Sequence, residues 1–98
     1  MTSKQRAYLR SLANPIEAIF QIGKGGLSEN LIKQVKEALE ARELIKISVL
    51  ETAPDGVREL GEQIAKKTDA ILVQTMGSKI TLYKARKKNS KIILPTNQ

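Results

Sequence analysis

Residues 19–28 read Ile19-Phe20-Gln21-Ile22-Gly23-Lys24-Gly25-Gly26-Leu27-Ser28. A short apolar run, typical of a strand, is followed by three glycines in four positions and then by Ser28, a favoured first residue (N-cap) of a helix. The pattern predicts a strand that turns sharply into a helix. Glycine has no Cβ atom, so the turn can adopt positive φ angles and approach a partner closely.

The same turn is a candidate site for phosphate. Main-chain amides at the start of a helix lie at the positive end of the helix dipole, and Lys24 adds a full charge at the tip of the turn. Gly23-x-Gly25-x-x-Ser28 departs from the dinucleotide-binding pattern at its third glycine, although Glu51 follows the next strand, where such folds place an acid. Gly23–Gly26 also has the Gly-x-x-Gly form of loops that hold a nucleic acid backbone. The structural alternative is a tight turn without a ligand.

The rest of the chain predicts one α/β (α+β) domain of αβαβαββ order, with a small four-stranded mixed sheet packed on helices. Thr2 and Gln5 form a potential capping box, and Asn14-Pro15 ends the first helix. The predicted elements are a helix from Thr2 to about Ala13, a strand Ala18–Ile22, a helix from Ser28 to about Arg42, a strand Leu44–Leu50, a helix from Val57 to about Thr68, and strands Ala70–Met76 and Lys79–Tyr83 joined by a Gly77-Ser78 hairpin turn. Residues 1–86 are expected to form the domain, and residues 87–98 a basic, partly flexible tail.

Composition excludes several classes of enzyme. The chain has 98 residues with no histidine and no cysteine. Zinc hydrolases, Ser-His-Asp enzymes and Cys-His enzymes are therefore excluded. The carboxylates are spread along predicted helix faces, which indicates solvated surface rather than a catalytic pair. We therefore expect no catalytic residue, no metal site and no cofactor.

The charge favours a polyanionic partner. Net charge is +7, and the basic residues recur around the glycine turn, on the first helix and after the last strand. The candidate RNA-binding residues are Gly23, Lys24, Gly25, Gly26, Arg6, Arg10, Lys84, Arg86, Lys87 and Lys88. Aromatic residues are scarce: Phe20 is expected in the core, and the pattern leaves open whether Tyr83 is buried or exposed for stacking on bases. No apolar run is long enough for a membrane span, so we expect a cytoplasmic protein, and a monomer because no apolar patch stands out.

Four motifs together resemble a known family. They are Thr2-Ser3-Lys4-Gln5-Arg6, Gln21-Ile22-Gly23-Lys24-Gly25-Gly26-Leu27, Leu72-Val73-Gln74, and Gly77 followed by Ile80-Thr81-Leu82-Tyr83-Lys84. In this order they resemble the CRM domain (chloroplast RNA splicing and ribosome maturation), in its free-standing bacterial, YhbY-like form. The resemblance covers about residues 2–86. It implies an RNA-binding domain whose Gly-x-x-Gly loop is Gly23–Gly26, a fold similar to the C-terminal domain of translation initiation factor three, and association with precursors of the large ribosomal subunit.

Three functions follow as hypotheses. The first is a non-enzymatic RNA-binding protein that acts in assembly of the large ribosomal subunit and contacts its ribosomal RNA. The second is a small nucleotide-binding protein that uses the strand-to-helix loop. The third is an adaptor that docks on a ribosomal protein, in which the lysines are incidental.

Overall fold

The computed structural model describes residues 1–86 and residue 92. Its elements, in chain order, are α1 Ser3–Ala13, β1 Phe20–Ile22, α2 Glu29–Arg42, β2 Leu44–Val49, α3 Val57–Thr68, β3 Ile71–Met76 and β4 Lys79–Tyr83. The αβαβαββ order is the predicted one, and the four strands form one mixed sheet. The predicted fold class is therefore confirmed.

The two predicted N-caps are confirmed. The amide of Gln5 donates to the Thr2 hydroxyl at 3.1 Å, and the amide of Thr2 donates to the side-chain oxygen of Gln5 at 3.1 Å. This reciprocal pair is a complete capping box. At the start of α2, the amide of Leu31 donates to the Ser28 hydroxyl at 3.0 Å. Both helices thus begin where local side-chain chemistry satisfies their first amides.

Three strand ends differ from the prediction. β1 begins at Phe20 rather than Ala18, β2 ends at Val49 rather than Leu50, and β3 begins at Ile71 rather than Ala70. The amide of Ala70 donates to the carbonyl of Ala65 at 2.9 Å, so this residue completes the end of α3. The amide of Leu50 donates to the carbonyl of Ile22 at 2.8 Å, just before the chain turns away. Apolar residues at these positions extend the pattern but not the ladder.

The sheet has the strand order β1-β2-β4-β3, with β1 and β2 parallel and the other pairs antiparallel. The carboxyl ends of β1 and β2 therefore share one end of the sheet with the hairpin that joins β3 to β4. The amide of Val49 donates to the carbonyl of Ser78 in that hairpin at 2.7 Å. We call this the loop end of the sheet, because it carries the glycine turn, the 50–56 connection and the Gly77-Ser78 turn.

Helices cover the two faces of the sheet unequally. On one face, α2 and α3 bury a large cluster, whose members are Ile22, Val35, Leu39, Ile45, Ile47, Val49, Leu60, Ile64, Ala65, Ile80 and Leu82. On the other face, α1 packs Leu9 and Ala13 against Leu44, Val73 and Tyr83. Successive residues of a strand point to opposite faces, so β2 contributes to both clusters.

A bulge interrupts the outer strand β3. The pairing register with β4 shifts between Leu72 and Gln74. The Arg6 guanidinium donates to the carbonyl oxygens of Leu72 at 2.6 Å and Val73 at 2.9 Å. These bonds tie the start of α1 to β3 across 66 and 67 residues of chain.

Candidate nucleic-acid interface

The glycine turn is a closed four-residue turn with an exposed tip. The amide of Gly26 donates to the carbonyl of Gly23 at 2.9 Å, and Gly26 has φ 63°. Lys24 and Gly25 at the tip are exposed, and a Cβ atom on Gly25 would meet nothing within 4 Å. Lys24 forms no ion pair within the described part of the chain. The turn therefore offers an uncompensated ammonium and open main chain to a ligand.

The 50–56 connection supports the back of this turn. A Cβ atom on Gly23 would lie 3.5 Å from Leu50 Cδ1 and 3.6 Å from Thr52 Oγ1. A Cβ atom on Gly26 would lie 3.0 Å from Pro54 Cγ. The two outer glycines thus face protein, whereas Gly25 faces open space. The turn is held on one side and free on the other.

The start of α2 offers less to an anion than the sequence indicates. The expectation was that the first amides of this helix are unpaired, but the amide of Leu31 is bound by the Ser28 hydroxyl. Glu29 in the first turn adds a negative charge beside the positive end of the helix dipole. The charge of the site therefore depends more on lysine side chains than on helix amides.

A groove between α2 and α3 adjoins the turn. It has a volume of about 440 Å³, and its lining residues are Leu27, Ser28, Glu29, Ile32, Lys33, Lys36 and Lys67. Lys33, Lys36 and Lys67 are exposed, and none of them forms an ion pair within residues 1–86. The sequence shows the lysines of α2 at helical spacing. It does not show Lys67, because the packing of α3 on α2 brings this residue to the groove.

The structure does not bring Arg6 to the glycine turn. Arg6 is bound to β3, and β3 and β1 are the two outer strands on opposite edges of the sheet. Its guanidinium is half-buried and spends hydrogen bonds on main-chain oxygens. Arg10, one turn further along α1, is exposed and forms no hydrogen bond or ion pair through its side chain within the described residues. An RNA contact by either arginine stays a prediction.

The predicted basic residues after β4 differ among themselves. Lys84 is half-buried, and its ammonium donates to the carbonyl of Thr68 at 3.1 Å, at the end of α3. Arg86 is half-buried. Lys87 and Lys88 lie outside the described residues, as does most of the predicted 87–98 tail. Within it, Ile92 is described and packs against the cluster under α1.

Tyr83 is unavailable for stacking on bases. Its exposed fraction is 3 %, and it packs with Leu9, Ala13, Leu44 and Val73. Burial raises the pKa of its phenol, and the nearby negative charge of Glu43 raises that pKa further. Phe20 packs against the cluster under α2 and α3, as predicted. The interface is therefore poor in aromatic residues.

The described residues offer no metal site, since they contain no group of three or more side chains of the metal-binding types. None of the helices in the described part is both long and apolar enough to cross a bilayer. The features available for binding are thus the glycine turn and the basic residues around it.

Comparison with known proteins gives a consistent result. The family model of the CRS1 / YhbY (CRM) domain matches residues 1–84. The chain is 50% identical to the probable RNA-binding protein YqeI of Bacillus subtilis, over 97% of this chain and 99% of that one. It is 30% identical to an RNA-binding protein of Haemophilus influenzae, over 97% and 95% of the two chains.

A solved structure agrees with the fold described above. The solution structure of a hypothetical Staphylococcus aureus protein, described as a candidate RNA-binding protein, matches with a TM-score of 0.82 and 52% sequence identity. The match covers 97% of this chain and 99% of that one. The resemblance seen in the four sequence motifs is confirmed. Similarity to the C-terminal domain of translation initiation factor three stays a prediction.

Proposed function

Because the chain belongs to the CRS1 / YhbY (CRM) domain family, we propose that it binds RNA through the Gly23–Gly26 turn and the lysines beside it. The observation that carries this proposal is the turn itself: Lys24 is exposed without an ion pair, beside main chain that no side chain screens. Relatives that match nearly the whole chain are named as RNA-binding proteins, which supports the same conclusion.

The groove between α2 and α3 extends this surface. Lys33 and Lys36 lie on the helix that the turn opens, and Lys67 faces the same groove from α3. A sugar-phosphate backbone is a regular row of negative charges, so a turn and a groove with lysines can contact several phosphates in succession. We propose that the groove receives the strand that passes over Lys24.

The biological role we propose is assembly of the large ribosomal subunit, with its precursor ribosomal RNA as the partner. This follows from the resemblance of the sequence motifs to CRM domains. We propose a binding role without catalysis, in the cytoplasm and as a monomer. Crosslinking in cells, followed by sequencing of the attached RNA, tests the partner. Reads that spread over messenger RNA with no enrichment of large-subunit precursor would contradict it.

Binding in vitro separates RNA from a mononucleotide or dinucleotide as the ligand. We expect a folded RNA to bind with strong salt dependence, while ATP, GTP and NAD do not saturate the protein at micromolar concentrations. Saturable nucleotide binding without RNA binding would favour the small nucleotide-binding protein. Ribosome association that survives nuclease treatment would favour the protein-docking adaptor.

A further inference from the structure

The face of the sheet under α1 is divided into an apolar and a polar part. The register places Leu44 opposite Tyr83, and these residues form the row that α1 covers. Nearer the loop end, the next row on this face is Lys46, Thr81 and Gln74. The row after that is Gln21, Ser48, Lys79 and Met76, one residue from each strand. We call these two rows the polar sheet face.

The charge of the polar sheet face is positive and uncompensated. Neither row contains an acidic residue, and Lys46 and Lys79 form no ion pair within the described residues. The Lys79 ammonium donates to the neutral Ser48 hydroxyl at 3.0 Å. An ammonium has three N–H donors, so this bond holds the lysine in place and leaves two donors for a ligand.

Two side-chain amides lie in the same rows. Gln21 is exposed and Gln74 is half-buried, and neither side chain forms a hydrogen bond within residues 1–86. An amide carries both donors and an acceptor, which match the edges of nucleobases. Met76 is 62% exposed at the end of the outer row and offers an apolar contact. The face therefore presents groups suited to bases as well as to phosphates.

The polar sheet face is continuous with the glycine turn. Gln21 is two residues before Gly23, and the outer row crosses all four strands at the loop end. With neighbouring strands ~4.8 Å apart, this row spans roughly 14 Å from Gln21 to Met76. A strand whose backbone is held at Lys24 can thus continue across the sheet without a break in the basic surface.

We propose that the polar sheet face binds unpaired nucleotides of the same RNA and that Gln21 and Gln74 contact their base edges. This inference rests on the proposed RNA-binding function and adds a second surface to it. A flat face can reach base edges only where the bases are unpaired, because the major groove of an RNA duplex is deep and narrow. The positive charge and the absence of acids favour RNA over an acid-poor protein partner.

The test compares two RNAs of identical stem: a blunt hairpin, and the same hairpin with an eight-nucleotide unpaired extension. Wild-type protein should bind the extended RNA more tightly. The double variant Gln21→Ala/Gln74→Ala should lose about fivefold or more for the extended RNA and little for the blunt one. Its salt dependence should match that of wild type, because no charge is removed. Gln34→Ala/Gln63→Ala, in which both glutamines are exposed on α2 and α3, is the matched control and should bind like wild type.

A direct readout is the NMR signals of the Gln21 and Gln74 side-chain amides, which should shift on addition of the extended RNA. Equal binding of both RNAs by wild type, or an unchanged double variant with unshifted amide signals, overturns the polar sheet face as a binding surface. If Lys24→Ala still weakens binding in that case, the proposed function stands. Failure of wild type to bind either RNA overturns both.

Discussion

A Cβ atom added to Gly26 would lie 3.0 Å from Cγ of Pro54. Gly26 also has φ 63°, a conformation that costs other L-residues about 1–2 kcal/mol. Backbone strain and lack of space therefore act together at this position. Neither applies to Gly25, which is next to it in the same turn.

We predict that Gly26→Ala lowers the free energy of unfolding by about 1–2 kcal/mol or more and weakens RNA binding, because the turn must shift away from Pro54. Gly25→Ala should change stability by less than ~0.5 kcal/mol. Urea denaturation of both variants measures this difference. Equal losses for the two variants would mean that the turn is held differently.

Lys24→Ala should weaken binding to all RNA sequences alike. If Lys24 contacts one phosphate, the slope of log K against log salt should become shallower by about 0.7–0.9. Titrations at several salt concentrations measure the slope. Lys4→Ala is a suitable control, because Lys4 is an exposed lysine at the start of α1, the helix end that Arg6 ties to the opposite edge of the sheet. A Lys24→Ala slope equal to that of wild type would show that the turn does not contact phosphate.

Arg6→Ala should lower the free energy of unfolding by about 1–3 kcal/mol. The substitution leaves the carbonyls of Leu72 and Val73 without the guanidinium that binds them. Arg10→Ala should be nearly neutral in the same urea experiment, because Arg10 is exposed and without a partner in the described residues. Salt titrations of folded Arg6→Ala then show whether Arg6 also contacts RNA, since only a phosphate contact changes the slope.

Stability should decline in alkaline solution partly through Tyr83. Its pKa in the folded protein is raised by burial and by Glu43, whereas in the unfolded chain it stays at its ordinary value of about 10. Below pH ~10 the phenol is neutral in both states and contributes no pH dependence. As pH rises above this value, the unfolded chain ionises first, so the free energy of unfolding falls. Tyr83→Phe should remove this part of the decline between pH 9 and about 11 in thermal melts, whereas Tyr8→Phe, at an exposed position, should not.

Removal of residues 87–98 should have two separable effects. Loss of Lys87 and Lys88 should lower affinity for any polyanion with little change in selectivity. Loss of Ile92, which packs on the cluster under α1, should lower stability by about 1 kcal/mol. Lys87→Ala/Lys88→Ala should therefore change binding alone, and Ile92→Ala stability alone. A truncated protein that no longer prefers folded RNA would show that the tail reads structure.

The features that sequence predicted correctly depend on neighbours along the chain. The Thr2 and Ser28 caps, the glycine turn and the Gly77-Ser78 hairpin are all specified within a few residues. Burial of Tyr83 depends instead on which helix covers the second face of the sheet, and α1 is some 70 residues away in sequence. The position of Lys67 beside the α2 lysines likewise arises only when α3 packs on α2. Periodicity within one element carries no information about such contacts.

The bulge in β3 and the guanidinium bound to it also bear on self-association. β3 is an outer strand, and a regular outer strand presents free main-chain groups that a strand of another molecule can extend. Here the register shift distorts that edge, and Arg6 occupies the carbonyls of Leu72 and Val73. A second copy would have to displace the arginine and straighten the bulge before it could add a strand, which protects a small basic protein from edge-to-edge aggregation while it waits for its partner.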